Sequence, residues 1–369
     1  MTATPASVPL NDLRRRIAPI EAEVIAAISR VVGSGHYILG PACVSFEQAF
    51  ADYCGVAHCV GVANGTDALE LALRAIGMGR GAGIATVANA GMYGTAAILA
   101  IGAKPVFVDI DPATMTMAPA ALRAAGPVDA VIATHLYGRM ADMPALLQAA
   151  GGAPVIEDCA QAHGAALEGR RAGAWGAAAC FSFYPTKNLG ALGDGGAITT
   201  GDAAIAEKVR KLRQYGWSAK YHASLPYGKN SRLDEVQAAV LLVMLPRLEA
   251  ANDARRRVLE RYVAGIQRDD IALPVAGAAK AHVAHLFVLR SKSRASLADH
   301  LKSRGIASDI HYPVPDYRQE AVIARLGASA PLKETEAAAA EVLTLPCFPE
   351  LTEAEIAAVI AAVNGQAST

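Results

Sequence analysis

Apolar positions in the first two thirds of the chain come in short solid blocks, at 59–62, 83–87, 105–108, 130–134, 154–158, 178–183 and 196–200. Blocks of this length without polar alternation predict strands buried on both faces. Between them lie Ala/Leu-rich segments with apolar residues at helical spacing, such as 68–76 and 144–150. Seven strands separated by helices predict an α/β fold with a mainly parallel sheet covered on both sides. The uncharged stretch between Arg80 and Lys104 has membrane length, but its glycines, Thr86, Asn89 and Thr95 make it a buried strand, a turn and a packed helix instead.

The pattern changes beyond residue 220. Ser231 opens a Ser-x-x-Asp sequence that predicts a helix cap, and the apolar run from Val236 to Leu242 predicts a long helix, kinked at Pro246 and continuing as a charged half to Tyr262. Segments 282–290, 296–303 and 306–312 follow, then a final helix opened by the capping box Thr352-x-x-Glu355 and running to about Val363. These predict a small α/β domain closing over the large one. The expected division is 1–245 and 246–369, and a chain of 369 residues is long enough for two cores.

Composition narrows the function classes. Hydrophobic residues make up 53% and charged residues 18% of the chain, which excludes disorder. Lys plus Arg equals Asp plus Glu at 34 each, so no overall field favours nucleic acid or a membrane surface, and any anion must be held by a local pocket. The six cysteines show no metal-binding spacing and read as buried thiols of a reducing compartment. Residues 1–5 lack a basic region followed by an apolar stretch, so a cytoplasmic protein is expected.

Against that background one cation stands out. The aromatic-rich run Phe181-Ser182-Phe183-Tyr184-Pro185-Thr186-Lys187-Asn188-Leu189-Gly190 ends a buried strand in a lone lysine within a Gly-rich loop. An amine placed there is desolvated and its pKa falls, which suits a nucleophilic, Schiff-base lysine. Three elements belong beside it. Asp158 ends the strand of 154–158, where open α/β sheets place their ligands, and can keep a pyridinium nitrogen protonated. At Asn64-Gly65-Thr66-Asp67 a strand turns into a helix whose first N–H groups, at Gly65 and Thr66, can hold a phosphate, with the Ser182 hydroxyl beside them. Gln161, three residues past Asp158, can donate to a ring oxygen. Each alone reads equally as a cap or a turn residue; together, in this order, they form the constellation of a pyridoxal-phosphate enzyme. A dinucleotide dehydrogenase fits less well, because Gly77, Gly79, Gly81 and Gly83 follow a helix rather than a strand.

These motifs, with Gly35-His36-Tyr37-Ile38-Leu39-Gly40, His135-Leu136-Tyr137-Gly138, Glu157-Asp158-Cys159-Ala160-Gln161 and Asn230-Ser231-Arg232-Leu233-Asp234-Glu235, resemble the DegT/StrS-type nucleotide-sugar aminotransferases. The resemblance runs nearly end to end. It implies pyridoxal-phosphate fold type I, with an α/β/α large domain and a small C-terminal α/β domain. It also implies pyridoxal 5'-phosphate, becoming pyridoxamine 5'-phosphate during turnover, and L-glutamate as donor. By resemblance Lys187 forms the internal aldimine and shuttles the proton, Asp158 holds the pyridinium, Gln161 contacts the ring oxygen, and Gly65, Thr66 and Ser182 hold the phosphate. Asn230 resembles a residue that reaches the phosphate of a partner's site, implying a homodimer with shared active sites; from the residues alone it is a turn residue before a helix.

The family stacks an aromatic on the cofactor ring. Here the corresponding segment reads Asn89-Ala90-Gly91-Met92-Tyr93; counting back from Gly102 puts Gly91 or Met92 at that position, and Tyr93 is the candidate ring. Arg213-Gln214-Tyr215-Gly216-Trp217 with Lys220-Tyr221 is similar to members that aminate C3 of dTDP-3-keto-6-deoxyhexoses. On that likeness Lys220 and Tyr221 meet the pyrophosphate, and Tyr184, His311 and Tyr312 the sugar. UDP-3-keto-glucuronates and 4-keto-6-deoxy sugars are the neighbouring substrate classes, and the family's usual His after His311-Tyr312-Pro313 is Tyr317 here. The rival readings are a sugar dehydratase, whose family members carry His where Lys187 stands, and a non-catalytic cofactor-binding regulator.

Overall fold

The computed structural model describes residues 7–275 and 280–366. All seven apolar blocks are strands of one sheet: β1 (His58–Val62), β2 (Gly83–Thr86), β3 (Lys104–Phe107), β4 (Ala130–Thr134), β5 (Val155–Asp158), β6 (Ala178–Ser182) and β7 (Gly196–Thr200). Their spatial order is β1-β7-β6-β5-β4-β2-β3. Only β7 runs antiparallel to its neighbours. The carboxyl ends of β1, β2, β4, β5 and β6 therefore share one edge, where an open sheet gathers its ligand loops.

The solid apolar blocks follow from burial on both faces. In β4, Val131 and Ala133 join one core with Phe46, Phe50, Phe181 and Phe183, while Ala130 and Ile132 join a second core with Leu69, Leu73, Ile98 and Val209. The segment between Arg80 and Lys104 is β2, a turn and the helix Tyr93–Ala100. Among the described residues no helix is long and apolar enough to cross a membrane. The six cysteines are buried and unpaired.

The long C-terminal helix is two pieces. Glu235–Met244 and Leu248–Gly265 are separated by a 3-10 turn at Leu245–Arg247, as the proline at 246 demands. Ser231 does not cap it, contrary to the expectation from Ser-x-x-Asp. Asp234 holds the N-cap position without a side-chain bond, and the Ser231 hydroxyl instead accepts the backbone N–H of Ala63 at 3.1 Å. The capping box of Thr352 and Glu355 is present and opens the last helix, Glu353–Asn364. A three-stranded antiparallel sheet of Ile271–Ala272, Phe287–Ser291 and Val342–Leu345 packs with these helices around Tyr262, Phe287 and Phe348, and Val8 from the N-terminal segment is buried in the same core.

Candidate active site

Sheet register builds the site. Val62 lies opposite Gly196, and Gly196 opposite Ser182, so the turn that follows β1 falls beside the end of β6. Two glycines make room for that approach. A Cβ on Gly196 would meet the Asn64 carbonyl carbon at 2.5 Å, and one on Gly65 would meet the Ser182 Cβ at 2.7 Å. The helix Gly65–Ala75 starts here, capped by Asn64, whose Oδ1 accepts the Asp67 N–H at 2.8 Å. Its first N–H groups and the Ser182 side chain open onto a cavity of about 990 Å³.

That cavity brings together Gly65, Thr66, Tyr93, Asp158, Gln161, Ser182, Tyr184, Lys187, His311 and Tyr312. It does not include Lys220, Tyr221 or Asn230. All three are exposed, the first two on the hairpin of Trp217–Ala219 and His222–Ala223, and Asn230 in an isolated bridge with Gln214.

Lys187 is half-buried, and burial brings its amine down to about 8, with the Asp158 carboxylate pulling the other way. Asp158 is 5% exposed, and burial raises its carboxyl pKa against the hydrogen bond from Ala160 N–H and the charge of Lys187. Thr134, its register partner on β4, donates to it at 3.4 Å. Its neighbour Glu157 points to the other face and is a strut. It accepts from the N–H groups of Gly173, Trp175 and Gly176 at 3.0, 2.7 and 3.0 Å, and from His135 Nε2 at 3.0 Å. His135 Nδ1 accepts the Ala141 N–H at 3.0 Å, which fixes the proton on Nε2. Burial would raise Glu157, but these bonds outweigh it and hold the carboxylate below its ordinary range. With both oxygens so engaged, the cluster of His135, Glu157 and Cys159 is a hydrogen-bonded support rather than a coordination site.

Gln161 is fixed at both ends of its amide. Oε1 accepts the Tyr137 N–H at 2.6 Å, and Nε2 donates to the Tyr312 hydroxyl at 3.2 Å. Tyr137 is a buried residue at φ 60°, a backbone conformation that is held only by such surroundings. Tyr312 takes the space a side chain at position 91 would need: a Cβ on Gly91 (φ +74°) would lie 2.8 Å from its ring. Tyr93 stands edge-on to that ring, centroids 6.3 Å apart. The buried carboxylate of Asp316 locks the arrangement, accepting from Met92 N–H at 3.0 Å and Thr95 Oγ1 at 2.6 Å.

Several cavity residues had no motif to betray them: Leu10, Asn11, His285 and Asp309; Asp194 comes from the Gly-rich loop after Lys187. Leu10, Asn11 and His285 arrive from segments distant in sequence, and Asp309 lies two residues before His311. His285 Nδ1 donates to Asn188 Oδ1 at 2.9 Å, and burial beside Lys187 drives its pKa well down, so it is neutral.

A desolvated amine, a buried carboxylate and a small-residue cradle at a helix start therefore face one cavity. Comparison with known proteins gives the same picture over the whole chain. The "UDP-N-acetyl-3-dehydro-alpha-D-glucosamine 3-aminotranferase" of Acidithiobacillus ferrooxidans is 41% identical over 363 residues, covering 97% of each chain. The "dTDP-3-amino-3,4,6-trideoxy-alpha-D-glucose transaminase" of Streptomyces venezuelae is 43% identical over 362 residues, covering 97% of this chain and 95% of that protein. The crystal structure of S. venezuelae DesV in complex with a ketimine intermediate superposes with a TM-score of 0.94 at 42% identity, covering 97% of this chain and 98% of the other. Residues 19–364 match the DegT/DnrJ/EryC1/StrS aminotransferase family, and with the sheet order and the lysine-bearing cavity in agreement, the chain belongs to that family.

Proposed function

We propose that this aminotransferase moves an amino group from L-glutamate to the C3 keto group of a nucleotide-linked hexose, closest to a dTDP-3-keto-6-deoxyhexose, with pyridoxal 5'-phosphate held in the cavity. The observation that carries it is the convergence of Lys187, Asp158 and the Gly65–Ser182 cradle on one cavity. These residues fit the cofactor. The cradle has no room for a Cβ at Gly65, and among the described residues the buried Asp158 makes no ion pair, with the charge of Lys187 acting on it, so a protonated ring nitrogen suits it. Gly65, Thr66 and Ser182 would hold the phosphate, Asp158 the ring nitrogen, Gln161 the ring oxygen, and Tyr93 a ring face, with Tyr312 edge-on behind it. Bound there, the group supplies an electron sink that acidifies the carbon next to the reacting nitrogen.

Everything else is done by the chain. The Lys187 amine, near 8, is free enough at neutral pH to take a proton from the donor's α-carbon and return it on the other side of the reaction, and in the second half-reaction it runs the exchange in reverse on the sugar. Tyr184, His311 and Tyr312 face the same space and orient the sugar; Lys220 and Tyr221, on the exposed hairpin outside this cavity, take the pyrophosphate in this reading on the sequence likeness alone. Among the described residues lining the cavity, Lys187 is the sole lysine, arginine is absent, and Asp67, Asp158, Asp194 and Asp309 are acidic. The two curated relatives differ in nucleotide but share carbon 3. A UDP-linked 2-acetamido-3-keto sugar is therefore the second reading.

The catalytic unit in this proposal is a homodimer in which Asn230 of each subunit reaches the other's phosphate site. The test is the visible spectrum of the protein with pyridoxal phosphate, followed through addition of L-glutamate and then of each keto sugar. The band should bleach with glutamate and return with the dTDP sugar. A return only with the UDP sugar selects the second reading, and a Lys187→Ala protein that turns over at the wild-type rate would sink both.

A further inference from the structure

Arg16 reaches the catalytic loop from the other end of the chain. It lies on the short helix Leu13–Ile17, half-buried, and its guanidinium spreads over three backbone carbonyls of the loop that carries Lys187. Nη1 donates to the Lys187 carbonyl at 2.9 Å and the Pro185 carbonyl at 3.2 Å, and Nη2 to the Asn188 carbonyl at 2.9 Å. It makes no hydrogen bond or ion pair with another side chain among the described residues, and burial, with Arg255 nearby, brings it down to about 10. The loop is gripped from behind as well. Asn188 Nδ2 donates to Asn252 Oδ1 at 2.8 Å and to the Val283 carbonyl at 3.1 Å.

The residue before Arg16 faces a different body. Arg15 makes a two-pronged pair with Glu355 on the last helix, at 2.9 and 2.8 Å. Farther up the segment, Val8 exchanges backbone bonds with Gly305 and Ala307 at 2.9 and 3.0 Å. Leu10 and Asn11, between these anchors, line the cavity. One short strap thus grips the C-terminal domain with Arg15 and the lysine loop with Arg16.

We infer that Arg16 is a positioning residue: it fixes the backbone from which Lys187 projects, so that the amine meets the reacting carbon in one place. The inference rests on the role given to Lys187 above. Three carbonyls spread over four residues need a planar fork of donors, which a lysine in place of Arg16 does not offer. A misplacement of about 1 Å at a reacting group costs on the order of 100-fold in rate.

The experiment compares wild type, Arg16→Ala and Arg16→Lys, each loaded with pyridoxal phosphate, for kcat, KM and the pH midpoint of the visible band. Arg16→Ala is expected to fold and bind the cofactor, to lose roughly 10- to 100-fold in kcat with KM changed less than about threefold, and to shift the band midpoint. Millimolar guanidinium should restore part of its kcat, and Arg16→Lys should stay well below wild type. A kcat within about twofold of wild type, or a loss that follows thermal stability alone with no guanidinium rescue and no band shift, overturns the inference. Borohydride trapping of the wild-type protein and peptide mass spectrometry read the lysine separately: a pyridoxyl group on any lysine but Lys187 overturns the functional reading itself.

Discussion

At Lys187 burial and the Asp158 charge oppose each other, and burial wins, taking the amine from 10.5 to about 8. The folded protein then releases this proton more than two units earlier than a surface lysine would. Covalent capture of pyridoxal phosphate by the apo-protein should therefore accelerate about tenfold per pH unit up to 8 and level off above it, whereas capture by a surface lysine keeps rising toward 10.5. Stopped-flow absorbance across pH 6–10 reads this, and a rate still climbing at pH 10 would contradict the desolvated site. Asp316 shows the opposite sign. Burial raises its carboxyl to about 6, so between the unfolded value near 3.8 and 6 the folded state holds more protons than the unfolded, and the stability it contributes is lost as pH rises through that window. Asp316→Asn does not titrate. Its melting temperature relative to wild type should climb from pH 4 to pH 7, and a flat difference would mean the carboxyl is not buried as described. Lys187 and Asp158 were legible from local pattern: Asp158 ends an apolar strand, and Lys187 is the lone cation in the loop that follows the strand Ala178–Ser182. His285 and Asn11 were not, because only tertiary folding brings them to the cavity, nor was Asp316, whose partners Met92 and Thr95 are distant in sequence.

The strands were the most readable elements, their blocks matching the observed bounds within a residue or so, because burial on both faces leaves an unbroken apolar run. Caps were less so: Thr352 caps its helix, but the hydroxyl of Ser231 is claimed by Ala63, a partner 168 residues away that no local pattern announces. The start of the helix Gly65–Ala75 is where element and chemistry meet. Alanine is a better helix former than glycine, so Gly65→Ala should leave the helix intact or firmer. Its Cβ, however, would sit 2.7 Å from Ser182 Cβ and push the two halves of the cradle apart. Affinity for pyridoxal phosphate should fall by about tenfold or more while the unfolding midpoint holds, since a phosphate loses its charge-assisted bonds when the donors separate. Ser182→Gly in the same chain removes the clash and should recover part of the affinity. A single Gly65→Ala protein that binds as tightly as wild type would show that the phosphate lies elsewhere.

The whole molecule poses the question of Asn230, exposed and outside its own cavity, yet in the segment whose likeness implies contact with a partner's phosphate. The helices Glu21–Ser34 and Pro41–Cys54, which pack on Glu235–Met244, and the turn between them carry exposed apolar side chains, among them Ile25, Val32, Tyr37, Ile38 and Val44, which a second copy would cover. If sites are shared across a two-fold axis, each cavity takes Lys187 from one chain and Asn230 from the other. Asn230→Asp would then set a carboxylate against a phosphate in trans, and Lys187→Ala would remove the amine in cis. Each variant alone should be inactive or nearly so. Mixing them after mild dissociation creates hybrids in which one site carries both lesions and the other carries neither. Random pairing at equal amounts makes about half the dimers hybrid, each with one of two sites intact, so activity should recover to about one quarter of wild type. Were Asn230 to act within its own subunit, both sites of every hybrid would carry a lesion and mixing would restore nothing. A chain that stays monomeric in sedimentation while fully active would remove the premise altogether.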